Sequence, residues 1–248
     1  MDSDGANHRF ITTGKATALT PRYSPDYSKI VYLSYLNGNP RIYVYDIPTS
    51  SQKLVTQSTN PTFAPRWSPD GKWVLYSMAI GGNTDIYKIA ANGSGQPIKL
   101  TDSPGIDIGG SFSPDGSRIV FESDRSGSQQ IYVMNADGSN QQRISFFGGR
   151  AATPEWSPRG DQIAFTHMGG NFRIAVMNPS GGGLRLLTDS WQDEAPTWSP
   201  NDRIIQFFRT TRNSGDAAIW QVDLTGRNER RLPTPVDGSD PAWGPVRP

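Results

Sequence analysis

The sequence predicts an all-β protein with a β-propeller architecture, and three observations lead to this prediction. The tripeptide Ser-Pro-Asp, or a close variant, returns every 42 to 45 residues along the 248-residue chain. Glycine (26 residues) and proline (20 residues) are frequent without a Gly-x-y period, so many tight turns are expected. The segments between the turns are short and rich in aromatic and β-branched residues. A fixed period of this length is typical of a repeat protein.

An aromatic residue precedes each copy of the tripeptide. One aromatic per repeat, always in the same register, buries a large apolar area in every unit, so we expect these side chains to pack between neighbouring units. The serines that open the motif are Ser24, Ser68, Ser113, Ser157 and Ser199, and Gly244 takes this place in the last copy. The aromatic residues are Tyr23, Trp67, Phe112, Trp156, Trp198 and Trp243.

The second repeat shows how one unit is expected to fold. Asp70-Gly71 is a strong hairpin-turn signal that closes the first strand onto the second. The segments 72–78, 85–89 and 97–101 carry the alternating apolar residues of strands, and glycine-containing turns separate them. Each repeat is therefore predicted to be one propeller blade of four antiparallel strands.

Six repeat starts predict a six-bladed β-propeller of which only five blades are complete. Residues 9–13 resemble an outer strand with no blade before it, and residues 240–245 resemble an inner strand with nothing after it. We interpret them as the outer and inner strands of a split sixth blade whose middle strands are missing. Residues 1–248 are thus predicted to be one propeller domain of a longer protein, or an excised or engineered propeller fragment.

Composition argues against several classes of function. The chain has 24 basic and 23 acidic residues, so it lacks the basic surface of a nucleic-acid-binding protein. It has no cysteine for a disulfide, a thiolate metal site or a nucleophile. No segment approaches the roughly 20 apolar residues of a membrane-spanning helix, and the polar N-terminus is not a signal peptide.

Recognisable catalytic motifs are also lacking, so we expect no enzyme. His8 and His167 are far apart and lie outside any metal-binding motif, and no serine occupies a Gly-x-Ser-x-Gly turn. An alternative is a propeller that gates a prolyl-oligopeptidase-like hydrolase. That alternative requires a hydrolase domain beside the propeller.

Two regions of the chain resemble the propellers of the TolB family. Residues 113–139 are similar to the repeat of that family, with Ser113-Pro114-Asp115-Gly116 at their start. Residues 224–233 and Asp240-Pro241-Ala242-Trp243 are similar to its C-terminal end, and the resemblance extends over essentially the whole chain. It implies the C-terminal six-bladed propeller of a periplasmic protein of the Tol-Pal cell-envelope system.

The resemblance also implies a set of partners. Propellers of this family bind the lipoprotein Pal, and colicin-type peptides imitate that contact. Contact with TolA is not expected, because the family makes it through an N-terminal α/β domain that this sequence does not include. No cofactor is required under this interpretation.

The candidate binding residues precede the repeated aromatics, in segments that we predict to be loops around the mouth of a central channel. The turns between second and third strands are predicted to lie at the opposite end or at the rim. The resemblance implies that Pal contacts the mouth loops, chiefly those of the second and third blades. The predicted partner-binding residues are Thr62, Phe63, Ala64, Asp107, Ile108, Gly109, Thr153, Asp193 and Glu194.

Acidic residues at the same mouth suggest a second hypothesis, a calcium ion in the channel. Carboxylates are hard oxygen ligands suited to calcium, and similar propellers hold calcium there. The alternative is ordinary solvated surface charge. The candidate ligands are Asp107, Asp193, Glu194 and Asp240.

Overall fold

The computed structural model describes residues 11–12, 16–234 and 237–244, and these residues form strands, turns and short connections. Twenty strands are arranged in five antiparallel sheets of four strands, and each sheet is one sequence repeat. The predicted all-β propeller with four-stranded blades is therefore confirmed.

The strands follow one another in each blade from the central axis to the outer edge. The first blade contains β1 (Ala18–Tyr23), β2 (Lys29–Ser34), β3 (Arg41–Asp46) and β4 (Ser51–Leu54). The second contains β5 (Thr62–Trp67), β6 (Trp73–Ile80), β7 (Asn83–Ala90) and β8 (Ile98–Lys99). The third contains β9 (Asp107–Phe112), β10 (Arg118–Ser123), β11 (Gln130–Asn135) and β12 (Gln142–Arg143). The fourth contains β13 (Arg150–Trp156), β14 (Ile163–Gly169), β15 (Asn171–Met177) and β16 (Arg185–Leu186). The fifth contains β17 (Asp193–Trp198), β18 (Ile204–Thr210), β19 (Ala217–Asp223) and β20 (Arg230–Arg231).

The prediction of a six-bladed ring with a split sixth blade is wrong. The described residues form five blades, and within them residues 237–244 belong to no strand. Trp243 repeats the packing signal of the other blades, since its Nε1 donates to the Thr197 carbonyl oxygen. A strand, however, also needs a ladder partner, and residues 237–244 have none among the described residues. The proposed outer strand, residues 9–13, lies largely outside the described residues, and Ile11 and Thr12 form a bend.

The Ser-Pro-Asp motif is a turn that starts the second strand of each blade. In the first blade the Ser24 Oγ donates to Asp26 Oδ1 at 2.6 Å and accepts the Lys29 amide at 2.9 Å. The same pair of contacts forms around Ser113, with Asp115 and Arg118. The motif serine, together with the Ser28 or Ser117 amide and hydroxyl, donates to the aspartate and lowers the pKa of Asp26 and of Asp115 to about 2. The motif therefore has a structural role.

The repeated aromatic residues join neighbouring blades, as predicted. Trp156 of β13 packs in a buried cluster with Val120 and Ile131 of the third blade and Phe165 of its own blade. The indole Nε1 of Trp67 donates to the Arg22 carbonyl oxygen of the preceding blade at 3.0 Å. Each aromatic side chain thus combines apolar burial with, in several blades, one hydrogen bond across the interface.

Candidate functional site

The first strands of successive blades lie next to one another around the central axis. The candidate binding residues lie within these strands, in β5, β9, β13 and β17, and not in loops before them as predicted. The turns between second and third strands lie at the end of the molecule where the first strands begin. The Tyr35 amide donates to the carbonyl oxygen of Thr17, just before β1, and the Ala79 amide donates to that of Pro61, just before β5. Their predicted placement at the opposite end or rim is wrong, since an antiparallel second strand returns the chain to the end where the first strand began.

Each first strand carries a backbone irregularity that the sequence reading missed. Its register against the second strand shifts between Phe63 and Arg66, and equivalent shifts occur in the other four blades. One residue there has a positive φ, a conformation that residues other than glycine rarely adopt. The signal that could have revealed it is the proline that follows in most copies. These residues are Thr20, Ala64, Gly109, Thr153 and Ala195, and Asp240 repeats the conformation.

Three of the predicted binding residues are completely buried. Thr62, Asp107 and Asp193 have no solvent-exposed surface. The Asp107 Oδ2 accepts from Arg125 Nη2 at 2.7 Å and from Ser103 Oγ at 3.1 Å. A direct contact between these side chains and a partner would require rearrangement.

Asp193 makes the corresponding ion pair in the fifth blade. Arg209 donates to both of its carboxylate oxygens, at 2.6 and 2.8 Å, and also binds Glu229. The shared Asp–Arg pairing of β9 and β17 ties the start of each first strand to its own blade. Its role in the described structure is therefore to hold the mouth of the channel in shape.

The remaining candidates form a surface together with exposed apolar side chains at the same end, which we call the mouth surface. It combines half-buried residues of the first strands with apolar residues from the adjoining turns and loops. The Trp191 indole of this surface stacks with the Arg212 guanidinium, whose carbon lies 4.5 Å from the ring centroid. The first-strand members are Phe63, Ala64, Ile108, Gly109, Thr153 and Glu194, and the exposed apolar members are Tyr35, Leu36, Ile80, Ile106, Phe146 and Trp191.

A buried carboxyl group supports the mouth surface from beneath. Glu122 of β10 accepts a hydrogen bond from the Thr153 amide of the next blade at 2.5 Å. Burial raises the pKa of Glu122 to about 7, and the Thr153 hydrogen bond only partly opposes this. In the next interface the Thr166 hydroxyl accepts the Ala195 amide in the same way. The residue with positive φ is thus held by the preceding blade.

A charged cluster deeper in the channel was not predicted from the sequence. The guanidinium groups of Arg22 and Arg66 each lie 3.8 Å from the Glu155 carboxylate, which connects the first and second blades to the fourth. Glu155 also accepts from the Thr197 hydroxyl at 2.9 Å. Burial and the neighbouring Arg22 lower the pKa of Arg66 to about 9. Only the arrangement of the blades around the central axis brings these residues together, so no local pattern in the sequence signals them.

The proposed calcium ligands do not form a cluster in the described part of the chain. Asp107 and Asp193 are each paired with an arginine of their own blade, and no three acidic or histidine side chains among the described residues are placed to share a metal ion. One Asp107 oxygen, Oδ1, has no hydrogen-bond partner among the described groups. The calcium hypothesis stays a prediction.

The sequence matches the model of the TolB β-propeller domain over residues 1–247. The chain belongs to the TolB β-propeller family. It is 78% identical over 248 residues to Tol-Pal system protein TolB 1 of Novosphingobium aromaticivorans. It is 62% identical over 248 residues to Tol-Pal system protein TolB of Zymomonas mobilis. Both alignments cover 100% of this chain but only 55% and 54% of the relatives, so the chain spans about half their length.

A solved structure of TolB supports the same assignment. The crystal structure of TolB from Acinetobacter baumannii has a TM-score of 0.89 and 31% identity, over 99% of this chain and 61% of that one. The relatives are named as Tol-Pal system proteins and not as enzymes, in agreement with the non-catalytic interpretation. The described residues contain no helix that could cross a membrane.

Proposed function

We propose that this TolB propeller is a periplasmic binding module that docks the lipoprotein Pal on the mouth surface. The observation that carries the proposal is the position of the exposed apolar side chains. Of the ten large apolar side chains exposed in the described residues, six lie at the channel mouth. Exposed apolar residues gathered at one end of a molecule are typical of a protein–protein contact. The Tol-Pal names of the relatives support a partner from that system.

The geometry suits a rigid docking platform. Every mouth residue lies in a strand or within three residues of one, so little conformational entropy is lost when a partner binds. The Asp107–Arg125 and Asp193–Arg209 pairs hold the first strands from inside. Phe146, which is 75% exposed, and Trp191 provide large side chains of the kind that dominate binding energy at interfaces.

Calorimetric titration of the chain with soluble cognate Pal tests the proposal. Ile106→Ser and Phe146→Ser should each weaken binding at least about 10-fold, as expected for central apolar contacts. Ile98→Ser is the matched control, because Ile98 is as exposed as Ile106 (43% against 46%) but lies on the outer strand β8. Absence of binding by the folded wild-type chain would contradict Pal docking. Equal weakening by Ile98→Ser would contradict the mouth surface as its location.

A further inference from the structure

A cleft opens between the first and second blades at the end opposite to the mouth surface. Its volume is about 490 Å³. The Trp67 indole and Val44 provide apolar surface, and the prolines of two successive Ser-Pro-Asp turns, Pro25 and Pro69, border it. We call it the Trp67 cleft. It is large enough for a long side chain of another molecule.

Carboxylate groups line the Trp67 cleft. Three carboxylates, of Asp26, Asp46 and Asp70, face two ammonium groups, of Lys29 and Lys53. Lys29 lies 3.6 Å from Asp46, and Lys53 donates to a backbone carbonyl of the second blade at 2.8 Å. Lys72 lies 3.6 Å from Asp70, so the three carboxylates and the three nearby lysines balance in charge, and each lysine has a partner within the chain.

The repeat itself shows what occupies this space in another blade pair. Trp156 takes the position of Trp67 between the third and fourth blades, and the Arg118 guanidinium carbon lies 4.9 Å from the centroid of its ring. Trp156 is consequently 5% exposed. Trp67 remains half-buried, and no lysine or arginine among the described residues lies over its ring. The fold thus uses an arginine to cover one indole and leaves the equivalent indole open.

The two interfaces carry different cations at one position of the repeat. Arg118 is the fifth residue after Ser113, and Lys29 is the fifth residue after Ser24. An arginine has a planar guanidinium that stacks on an aromatic face, whereas the more strongly hydrated lysine ammonium pairs here with Asp46. The hydrogen bond from Trp67 Nε1 to Arg22 fixes the ring, so its open face is preorganised.

We propose that the Trp67 cleft binds an arginine side chain presented by another polypeptide. The guanidinium would stack on Trp67 as Arg118 stacks on Trp156, and the carboxylates of Asp26, Asp46 and Asp70 would accept its hydrogen bonds. This site lies at the other end of the ring from the mouth surface. It is therefore independent of Pal docking, and either proposal can fail without the other.

The test uses the nitrogen-15-labelled chain and acetyl-arginine amide as the probe. The indole N–H signal of Trp67 should shift in a saturable manner, with a dissociation constant on the order of 10 mM, as expected for one desolvated cation–π contact. Acetyl-lysine amide should bind several-fold more weakly. No shift of the Trp67 signal would overturn the proposal, and an equal response to both probes would overturn the preference for arginine.

Two charge-conserving variants exchange the cationic residues beside the Trp67 and Trp156 indoles. Lys29→Arg should cover Trp67 from within the chain and weaken acetyl-arginine amide binding at least about five-fold. Arg118→Lys should uncover Trp156 and make its indole signal respond to the probe. Unchanged signals from the other tryptophans show that each variant is folded. Wild-type affinity in Lys29→Arg, or a silent Trp156 in Arg118→Lys, would contradict the proposed stacking.

Discussion

At the scale of single residues, glycines in the turns between third and fourth strands set the distance between blades. Gly181 has a φ of +90°, and a side-chain carbon there would overlap the Ile144 carbonyl oxygen of the preceding blade. Gly138 is similarly placed, with a φ of +92° and a contact with Leu100. The sequence indicates these turns, but it does not indicate that the turn glycines also touch the neighbouring blade.

Gly181→Ala should therefore destabilise the protein more than a glycine substitution in an open turn. Gly170 is the matched control, because its φ is +109° but nothing lies within 4 Å of an added carbon. Both variants incur the cost of a positive φ, about 1 kcal/mol, and only Gly181→Ala adds about 1–3 kcal/mol of overpacking. Chemical denaturation measures both, and equal losses would show that the blades separate easily at this turn.

Glu122 makes the stability depend on pH in a specific direction. Its pKa is raised by burial to about 7, so the folded state favours the neutral acid. The contribution of Glu122 is fully present below its unfolded pKa of about 4.5 and is lost as pH rises through about 7, by up to about 3 kcal/mol. Glu122→Gln should remove this loss.

The measurement compares the unfolding free energies of wild type and Glu122→Gln from pH 4.5 to pH 8. The difference between them isolates this group from all other titrations. We expect the unfolding free energy of the variant to increase relative to that of wild type as pH rises. A constant difference across the range would mean that Glu122 is ionised in the fold or reaches solvent.

At the scale of the strand, the fourth strands are shorter than the sequence predicts. The predicted segment 97–101 contains an observed strand of two residues, Ile98–Lys99, and the corresponding strand of the fourth blade is Arg185–Leu186. Beyond it the Thr188 hydroxyl, instead of a backbone carbonyl, accepts the Ile174 amide at 3.0 Å. Thr56, Thr101 and Ser145 do the same in the first three blades. Propensity alone cannot distinguish a ladder from this side-chain replacement. The second and third strands of the second blade, Trp73–Ile80 and Asn83–Ala90, instead overlap the predicted segments 72–78 and 85–89 closely.

Thr188→Val should show how much this hydroxyl contributes to the stability of the protein. The substitution keeps the shape of the side chain but leaves the buried Ile174 amide without its acceptor, at a cost of about 1–3 kcal/mol. Thr188→Ser, which keeps the hydroxyl, should recover most of that loss. Thermal or urea unfolding distinguishes the two. If Val and Ser variants were equally stable, the hydroxyl contact would not support the edge of the blade.

At the scale of the whole molecule, the same repeat signals led to one correct and one wrong conclusion. Aromatic and proline signals correctly marked the interfaces between the five blades, but the sixth signal, at Trp243, marks packing against Thr197 and belongs to no sheet of the described residues. A blade exists only where second and third strands supply the ladder. The mouth of the channel was predictable because it follows from the repeat, whereas the Arg22, Arg66 and Glu155 cluster depends on contacts between distant blades.

The most direct test of the account is hydrogen–deuterium exchange of the chain with and without saturating soluble Pal. We predict slower exchange in the mouth connections, residues 35–40, 80–83, 103–106, 146–149 and 189–192. Exchange at the opposite end, in the Ser-Pro-Asp turns 68–71 and 113–116, should be unchanged. Protection of those turns without protection at the mouth, or no change anywhere in a chain shown to be folded, would contradict Pal docking on the mouth surface.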